Sequence, residues 1–403
     1  MKNNILVALI SLIMLMNSCN NDKEQDNQQI IYTFTMPKLI FNGVAPGPGN
    51  WKSETLDPQI CVDSSNCLNL VWSSDENATI KFSRSIDFGS TWSIPQNLFS
   101  GWEQVLCVNS STLFLTNVLE GSVPGTQLVF TKSEDNGLNW NDYKYIFKAK
   151  SEFFAHIPAI ATDNQGTLYV SFCLHDHNQS DGHHEIYFSK STDNGDSWSE
   201  PRNLSNNPLF HSDYPAINID YQNNITLTYW QNVKDGARTF FIKSDDGGNN
   251  WSSPRNINND YDNIVMGMCP IISDSTGKLY VVYSIEPNPG DVFITTSIDG
   301  GNSWINRKNI SHSSGDSYMP KIAMDHQGVL HVVWYDNSQG IYDIYISHSS
   351  DGGATWTDPQ NLSNSTESSF APSIDIDSNG KIYIVWDEGD ISNKHIYFVC
   401  SEN

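Results

Sequence analysis

The chain has 403 residues, with 46 acidic against 22 basic side chains and a formal net charge of −24; an electrostatic nucleic-acid binder is excluded, because nothing offsets phosphate repulsion. Hydrophobic residues make up 38% and aromatic residues 12%, which excludes intrinsic disorder over most of the length. Charged residues are only 17%, while Gly, Asn, Ser and Asp abound, the composition of many short strands joined by tight turns, so the predicted class is all-β.

At the N-terminus, Met1 to Asn4 precede an apolar run from Ile5 to Met16, followed by Asn17, Ser18 and Cys19. That run is too short for a permanent bilayer span and fits the core of a signal peptide, which sets residues 1–18 apart from the fold. The small residue followed by Cys19 resembles the lipobox of bacterial lipoproteins, and the resemblance implies lipidation at Cys19; an ordinary cleaved signal with a free Cys19 is the alternative. Residues 19–29 are polar throughout and suit a flexible acidic tether, similar to the export signal of surface lipoproteins in the Bacteroidetes. The expected location is the cell envelope, lipid-anchored at the outer membrane and surface-exposed.

Residues 30–403 are expected to form one domain. Its first β-rich run is Ile30–Met36. Six cysteines follow Cys19, and only Cys61 and Cys67 are close enough in sequence to suggest a disulfide; the others read as buried small apolar residues.

One pattern, Ser-x-Asp-x-Gly-x-(Thr, Ser or Asn)-Trp, then recurs six times, with its Asp at Asp87, Asp135, Asp193, Asp246, Asp299 and Asp351. The closing Trp residues are 48, 58, 53, 53 and 52 residues apart. A Pro-x-Ile-x-x-Asp strand and a second apolar strand precede each copy, a third leads into it, and a Pro-x-Asn-Leu-Ser segment often follows. That makes four strands per repeat, the unit of a β-propeller blade. The first-strand segment occurs seven times, clearest at Pro158–Asp163, Pro215–Asp220, Pro320–Asp325 and Pro372–Asp377 and degenerate near Val105 and Leu106. The last repeat stops at Cys400 without a fourth strand, so the Ile30–Met36 run is expected to supply it and close the ring.

The repeated pattern is similar to the Asp-box of the sialidase-like and BNR-repeat propellers, and the resemblance covers about residues 57–401. In it the Asp accepts backbone N–H groups within a turn, Gly supplies the positive φ, and Trp packs beneath the hairpin. These Asp residues are therefore read as structural. Residues 51–401 divide into seven repeats of about 50, within the range for such units. Sialidases have six blades, and a six-bladed ring with the weak second repeat as an insertion is the alternative.

Sialidases grip a substrate carboxylate with three arginines and use an Asp with a Tyr and Glu pair. Here the Phe-Arg-Ile-Pro motif that carries the first arginine is absent. The chain has only five arginines, of which Arg84, Arg202 and Arg255 belong to the repeat, leaving Arg238 and Arg307 as candidates for ligand binding. Bidentate arginines are the natural carboxylate clamp, so no sialidase active site transfers residue by residue.

Acids follow the second strand of every repeat, among them Glu286, Asp336 and Asp387, at the end where loops from all blades converge. A solvated acidic rim and a ligand site are both open readings. Histidines gather in one sector: His156 and His211 precede first strands, and His175, His177, His183 and His184 lie in the third repeat's long loop. His175 and His177, at i and i+2, point the same way in an extended segment and could share a divalent cation with His156 or His211; no other cofactor is expected. Candidate acid–base residues are His156, His177, His211, Asp213, Tyr214, Glu286, Asp336 and Asp387. Trp230, Trp334 and Tyr335 could stack on sugar rings. The expectation is a monomeric surface propeller that binds or processes glycans or glycoproteins. Open beside it are a non-catalytic protein- or glycan-binding scaffold and a true exo-sialidase with divergent motifs. If it is an enzyme, the expected class is a glycoside hydrolase or another carbohydrate-active enzyme.

Overall fold

The computed structural model describes residues 32–43, 56–74, 78–120, 125–148, 153–176, 183–258, 264–286, 290–390 and 393–402. The signal peptide, Cys19 and the tether lie outside them, as does His177. Among the described residues there is no helix, and the strands follow one another in antiparallel units.

The first unit is β2 (Gln59–Val62), β3 (Leu68–Ser74), β4 (Thr79–Ser85) and β5 (Gln96–Ser100). Next come β6 (Trp102–Asn109), β7 (Thr112–Glu120), β8 (Thr126–Ser133) and β9 (Lys144–Phe147), then β10 (Phe153–Thr162), β11 (Leu168–Asp176), β12 (His183–Ser191) and β13 (Arg202–Asn203). The weak second repeat thus supplies four strands, which a parallel Phe154–Thr126 pairing of β10 with β8 joins to the third unit in one eight-stranded sheet. The fourth unit holds β14 (Ser212–Ile219), β15 (Ile225–Val233), β16 (Gly236–Ser244) and β17 (Arg255–Asn256). In the fifth, β18 (Ile264–Met266) and β19 (Ile271–Ser273) share one side of β20 (Leu279–Glu286), followed by β21 (Asp291–Ser297) and β22 (Ile305–Asn309). The sixth holds β23 (Ser317–Met324), β24 (Leu330–Asp336), β25 (Asp343–Ser349) and β26 (Gln360–Asn361).

The last unit comprises β27 (Ser369–Ile376), β28 (Ile382–Asp390) and β29 (Asn393–Cys400), and its fourth strand comes from the other end of the described chain. That strand is β1, Lys38–Gly43, antiparallel to β29 with Lys38 opposite Phe398. The expected Ile30–Met36 run is only part of this edge: Phe34 bridges Ser401, and Thr35 N–H donates to Cys400 O at 2.9 Å. Pro37 has no N–H to give and separates the two pairings. Strand β2 of the first unit meets β27 of the last, where Ile60 N–H donates to Ser373 Oγ (3.2 Å) and Val62 N–H to Asp375 Oδ2 (2.8 Å).

Stacking puts apolar side chains on both faces of the second strands, so β3, β20 and β24 read as continuous buried runs with Trp72, Tyr283 and Trp334 inside. Cys61 and Cys67 are free thiols. Across the β2–β3 hairpin Cys61 faces Asn69, which leaves Cys67 out of register for a disulfide.

Each Asp-box repeats one hydrogen-bond set. In the third, Ser191 Oγ donates to Asp193 Oδ1 (2.7 Å), Gly195 N–H donates to Ser191 Oγ (2.8 Å), and Ser197 N–H and Oγ donate to the two Asp193 oxygens. The Ser197 hydroxyl and then its amide hold Asp193 at about 2. The Trp does more than close its own hairpin. Trp92, Trp140, Trp198, Trp251 and Trp304 pack edge-on against Phe398, Phe82, Phe130, Phe188 and Phe241, with ring centroids 5.0–5.7 Å apart. Each Phe belongs to the third strand of the preceding unit, or for Trp92 to β29 of the last, so the box bolts neighbouring sheets together.

A buried histidine pair lies where the N-terminal segment crosses the sixth unit. The Nδ1 atoms of His331 and His348 are 2.7 Å apart, Tyr32 and Phe34 cover His348, and His331 Nε2 lies 3.6 Å from Asp325. Burial pushes His348 down to about 3, helped by His331, and lowers His331 against the pull of Asp325. An unfolded histidine titrates near ~6.5, so the unfolded chain takes up protons that the folded pair refuses. The pair's stability contribution is present above that value and is lost as pH falls towards about 3. Stability should fall on acidification below about pH 6, by ~1.4 kcal/mol per pH unit for each such proton, and the melting temperature with it. His348→Leu should flatten that slope in thermal melts; an unchanged slope would count against this origin.

Candidate functional site

The first strand of each unit opens with a kink. Asp57, Glu103, Ile157, Tyr214, Met319 and Ala371 all have φ between 46° and 53°, and Gly267 has 67°. Register slips mark the same places in β6, β10, β14, β23 and β27. Bulges of this kind re-aim side chains, and non-glycine residues are held in the left-handed region only where their surroundings enforce it. Neighbouring kinks touch: Gln104 Nε2 donates to Asp57 O (2.6 Å), and Ile157 N–H donates to Glu103 Oε2 (2.6 Å). One end of the first strands is thereby gathered into a shared site.

Its electrostatics are unusual. Burial raises the Glu103 carboxyl to about 8 against the Ile157 N–H bond, with Asp213 and Asp57 adding charge repulsion. Burial also raises Asp57, opposed by the Lys321 ammonium and a hydrogen bond from Gln59. Lys321 is lowered by burial and supported by Asp57. The Tyr214 phenol is pushed up to about 12, chiefly by burial and then by Asp213 and Glu103. At neutral pH the site therefore offers a protonated carboxyl and a neutral phenol within reach of each other's fields.

Beside this pair lies the histidine sector. His184 Nδ1 is 3.0 Å from Asp213 Oδ2, the His184 ring is 5.1 Å from His156 and 4.4 Å from His175, and His211 Nδ1 accepts from His184 N–H at 3.3 Å. Cys173 stands opposite His156 on the neighbouring strand and donates to Ser212 O at 3.6 Å. Burial lowers His156, with His184 adding to the effect and Asp213 opposing it. Asp213 sits below the usual carboxylate range: burial works against ionisation, but the His184 hydrogen bond and the fields of His156 and His184 outweigh it.

The other flank is aromatic. Tyr335 contacts Tyr318, Tyr342 and Phe370 with centroids 5.2–6.1 Å apart, and Tyr214 meets Trp230 edge-on at 6.4 Å. These rings are half-buried.

The remaining candidates sit elsewhere or serve the fold. Trp334 is wholly buried between sheets, so its ring is closed to a ligand. Asp336 is buried and caps its turn through Ser317 Oγ (2.5 Å) and Ser338 N–H (2.8 Å). Asp387 is buried on Lys394 (2.9 Å) and Leu56 N–H (2.6 Å), and burial raises it to about 6 despite the ammonium. Glu286 accepts from Tyr318 OH at 3.4 Å at the site's edge. Arg238 is buried and bonds its neighbour's carbonyl, Ala237 O, at 2.9 Å. Arg307 lies on the outer strand β22 over the Phe293 ring. Among the described second-strand acids, Asp336 and Asp387 are thus committed to contacts within the fold. A cleft of about 400 Å³ between Lys243, Arg255, Asp299 and Asn302 is built from Asp-box residues at the opposite end.

Glu103 and Asp57 are absent from the sequence-derived candidates. Glu103 belongs to the degenerate second repeat, whose frame residues are missing. The signal that could have found it is positional: it stands one residue before the place where Pro58, Pro158, Pro215, Pro320 and Pro372 stand in other repeats.

Residues 214–387 match the BNR repeat-like domain. A sialidase of Bacteroides fragilis (strain YCH46) is 25% identical over 244 residues, which is 50% of this chain and 43% of that protein, so the chain spans less than half the length of the relative it matches. Among solved structures, an ulvan lyase of polysaccharide lyase family PL25 superposes with a TM-score of 0.66 at 11% identity, over 89% of this chain and 94% of that one. The Hadza microbial sialidase Hz136 gives 0.54 at 16% identity, over 83% and 76%. At such identities the structural likeness establishes the fold.

Proposed function

We propose that this chain, which belongs to the sialidase-like BNR-repeat propellers, cleaves glycans by general acid–base catalysis at the kinked ends of its first strands. The observation that carries this reading is the pair of buried carboxyls Glu103 and Asp57 at neighbouring, hydrogen-bonded kinks: burial raises Glu103 to about 8, and burial raises Asp57 as well, opposed by the Lys321 ammonium. Glycosidic hydrolysis uses two carboxyls in different roles: Glu103 gives its proton to the leaving oxygen, and Asp57, on the side of the Lys321 ammonium, takes one from the attacking water. Tyr214 hydrogen-bonds the sugar at the reacting centre, and Trp230 and Tyr335 supply stacking surface. The shortage of arginine directs the site towards neutral or weakly charged sugars rather than sialosides.

A lyase reading draws on a different observation, the half-buried phenol of Tyr214 beside the histidine sector, which burial keeps neutral up to about 12 and which can pass a proton in β-elimination. Incubation with a panel of neutral, uronate-bearing and sialylated glycans separates the two. New reducing ends without an ultraviolet-absorbing product support hydrolysis, and an unsaturated uronate supports elimination. Glycan-array binding without turnover would leave a binding module, and neither binding nor turnover would remove glycans altogether. Under hydrolysis, rate should fall about tenfold per pH unit above the Glu103 value of about 8, and Glu103→Gln should abolish that limb together with most of the rate.

The scaffold of this reading is a ring of seven blades closed by β1, supported by the β1–β29 pairing and the β2–β27 contact. The leader pattern at residues 1–18, Cys19 and the acidic tether support a lipid-anchored monomer at the outer membrane facing external glycans.

A further inference from the structure

We propose that His156, Cys173, His184 and Asp213 bind a zinc ion. One ligand atom from each lies within 4.8 Å of the other three. Tetrahedral zinc with bonds of 2.0–2.3 Å sets its ligands roughly 3.5 Å apart, so closing on the ion needs shifts of about 1 Å or less. The four side chains come from β10, β11, β12 and β14, in two adjoining units. Hydrogen-bonded strands already bring them together: His156 and Cys173 are register partners across β10 and β11, and Asp213 reaches His184 at 3.0 Å.

Charge and softness select the ion. A thiolate and a carboxylate cancel the two positive charges of zinc, leaving a neutral centre among buried groups, where either anion alone would be costly. Thiolate and imidazole ligands suit zinc, whereas calcium and magnesium take oxygen shells. On binding, the Cys173 thiol would give up the proton it now donates to Ser212 O, and His211 already holds the His184 backbone through Nδ1.

The ion would pin the site described above. His156 immediately precedes Ile157, whose N–H binds Glu103, and Asp213 immediately precedes Tyr214. Zinc would therefore clamp two adjoining kinks in their left-handed backbone. This consequence rests on the proposed function; the metal site does not, because it is read without substrate.

Full-length protein produced with zinc should carry one zinc per chain by elemental analysis, and chelation should lower its melting temperature. Cys173→Ser and His184→Ala should each lose stoichiometric zinc, while Cys107→Ser, elsewhere in the fold, should keep it. Should the variants fail to fold, cobalt substitution of the unaltered protein decides: a thiolate-to-cobalt charge-transfer band is expected. A cooperatively folded chain that takes up neither zinc nor cobalt, or that binds them without the thiolate band, overturns the proposal. Zinc without glycan cleavage would leave the metal site standing and remove the enzymatic reading.

Discussion

Tyr214→Phe is expected to lower turnover of a susceptible glycan by about 10²–10³-fold, the usual span for losing one transition-state hydrogen-bond donor, with little change in KM. The substitution removes one oxygen and keeps the ring that packs on Trp230, so the shape of the site survives. The phenol is held neutral by burial and by Asp213 and Glu103, and its position follows from a left-handed φ of 53° that the surrounding bulge imposes. If the hydroxyl acts only in the transition state, kcat falls and KM stays. Equal losses in binding and turnover would instead assign it to ground-state recognition, and wild-type kinetics in a folded variant would sink the role. A thermal melt matching the unaltered protein is the necessary companion measurement.

Gly195→Ala is the stability counterpart, with an expected loss of about 2–4 kcal/mol, from overpacking together with a disfavoured backbone. Gly195 has φ +85°, and a Cβ there would overlap the Phe130 ring of the preceding unit. Phe130 is also the partner of Trp198, so it cannot move aside without loosening the bolt between two sheets. Gly353→Ala is the internal control. Its φ is +87°, but the nearest atoms to an added Cβ are 3.7 Å away, so only the backbone term of about 1 kcal/mol applies. Denaturant melts of the two variants measure the difference. Equal losses would show that the inter-sheet contact contributes nothing.

How far the site was legible depended on whether its residues belonged to a local pattern. Tyr214, Asp213, His156 and His211 stand next to a strong first-strand motif and were visible. Glu103 stands next to a degenerate one and was not, although the structure places it at the equivalent kink. Spacing along one strand suggested His175 with His177, of which His177 lies outside the described residues; side chains from four strands of two units bring His156, Cys173, His184 and Asp213 together, a grouping that spacing along the chain does not show. Trp230 faces Asp213 and Tyr335 faces Tyr318 at equivalent half-buried positions, whereas Trp334 stands one residue earlier, where Tyr229 lies in the fourth unit, and both of these are sealed. Stacked sheets bury both faces of a second strand, so alternation carries no label for the exposed one.

The sequence by itself determined the all-β repeat: six Asp-boxes at a near-constant period, four strands to each, and too few arginines for a carboxylate triad. Those features are local, since a turn needs its Asp, Gly and Trp within eight residues. Tertiary structure decided that Lys38–Gly43 rather than Ile30–Met36 carries the main edge pairing, that the box tryptophans join neighbouring sheets, and that Glu103 and Asp57 share a site. The physical reason is sequence distance. A carboxyl's proton affinity and a metal ligand's partners are set by side chains tens to hundreds of residues away, which meet only when the sheets stack.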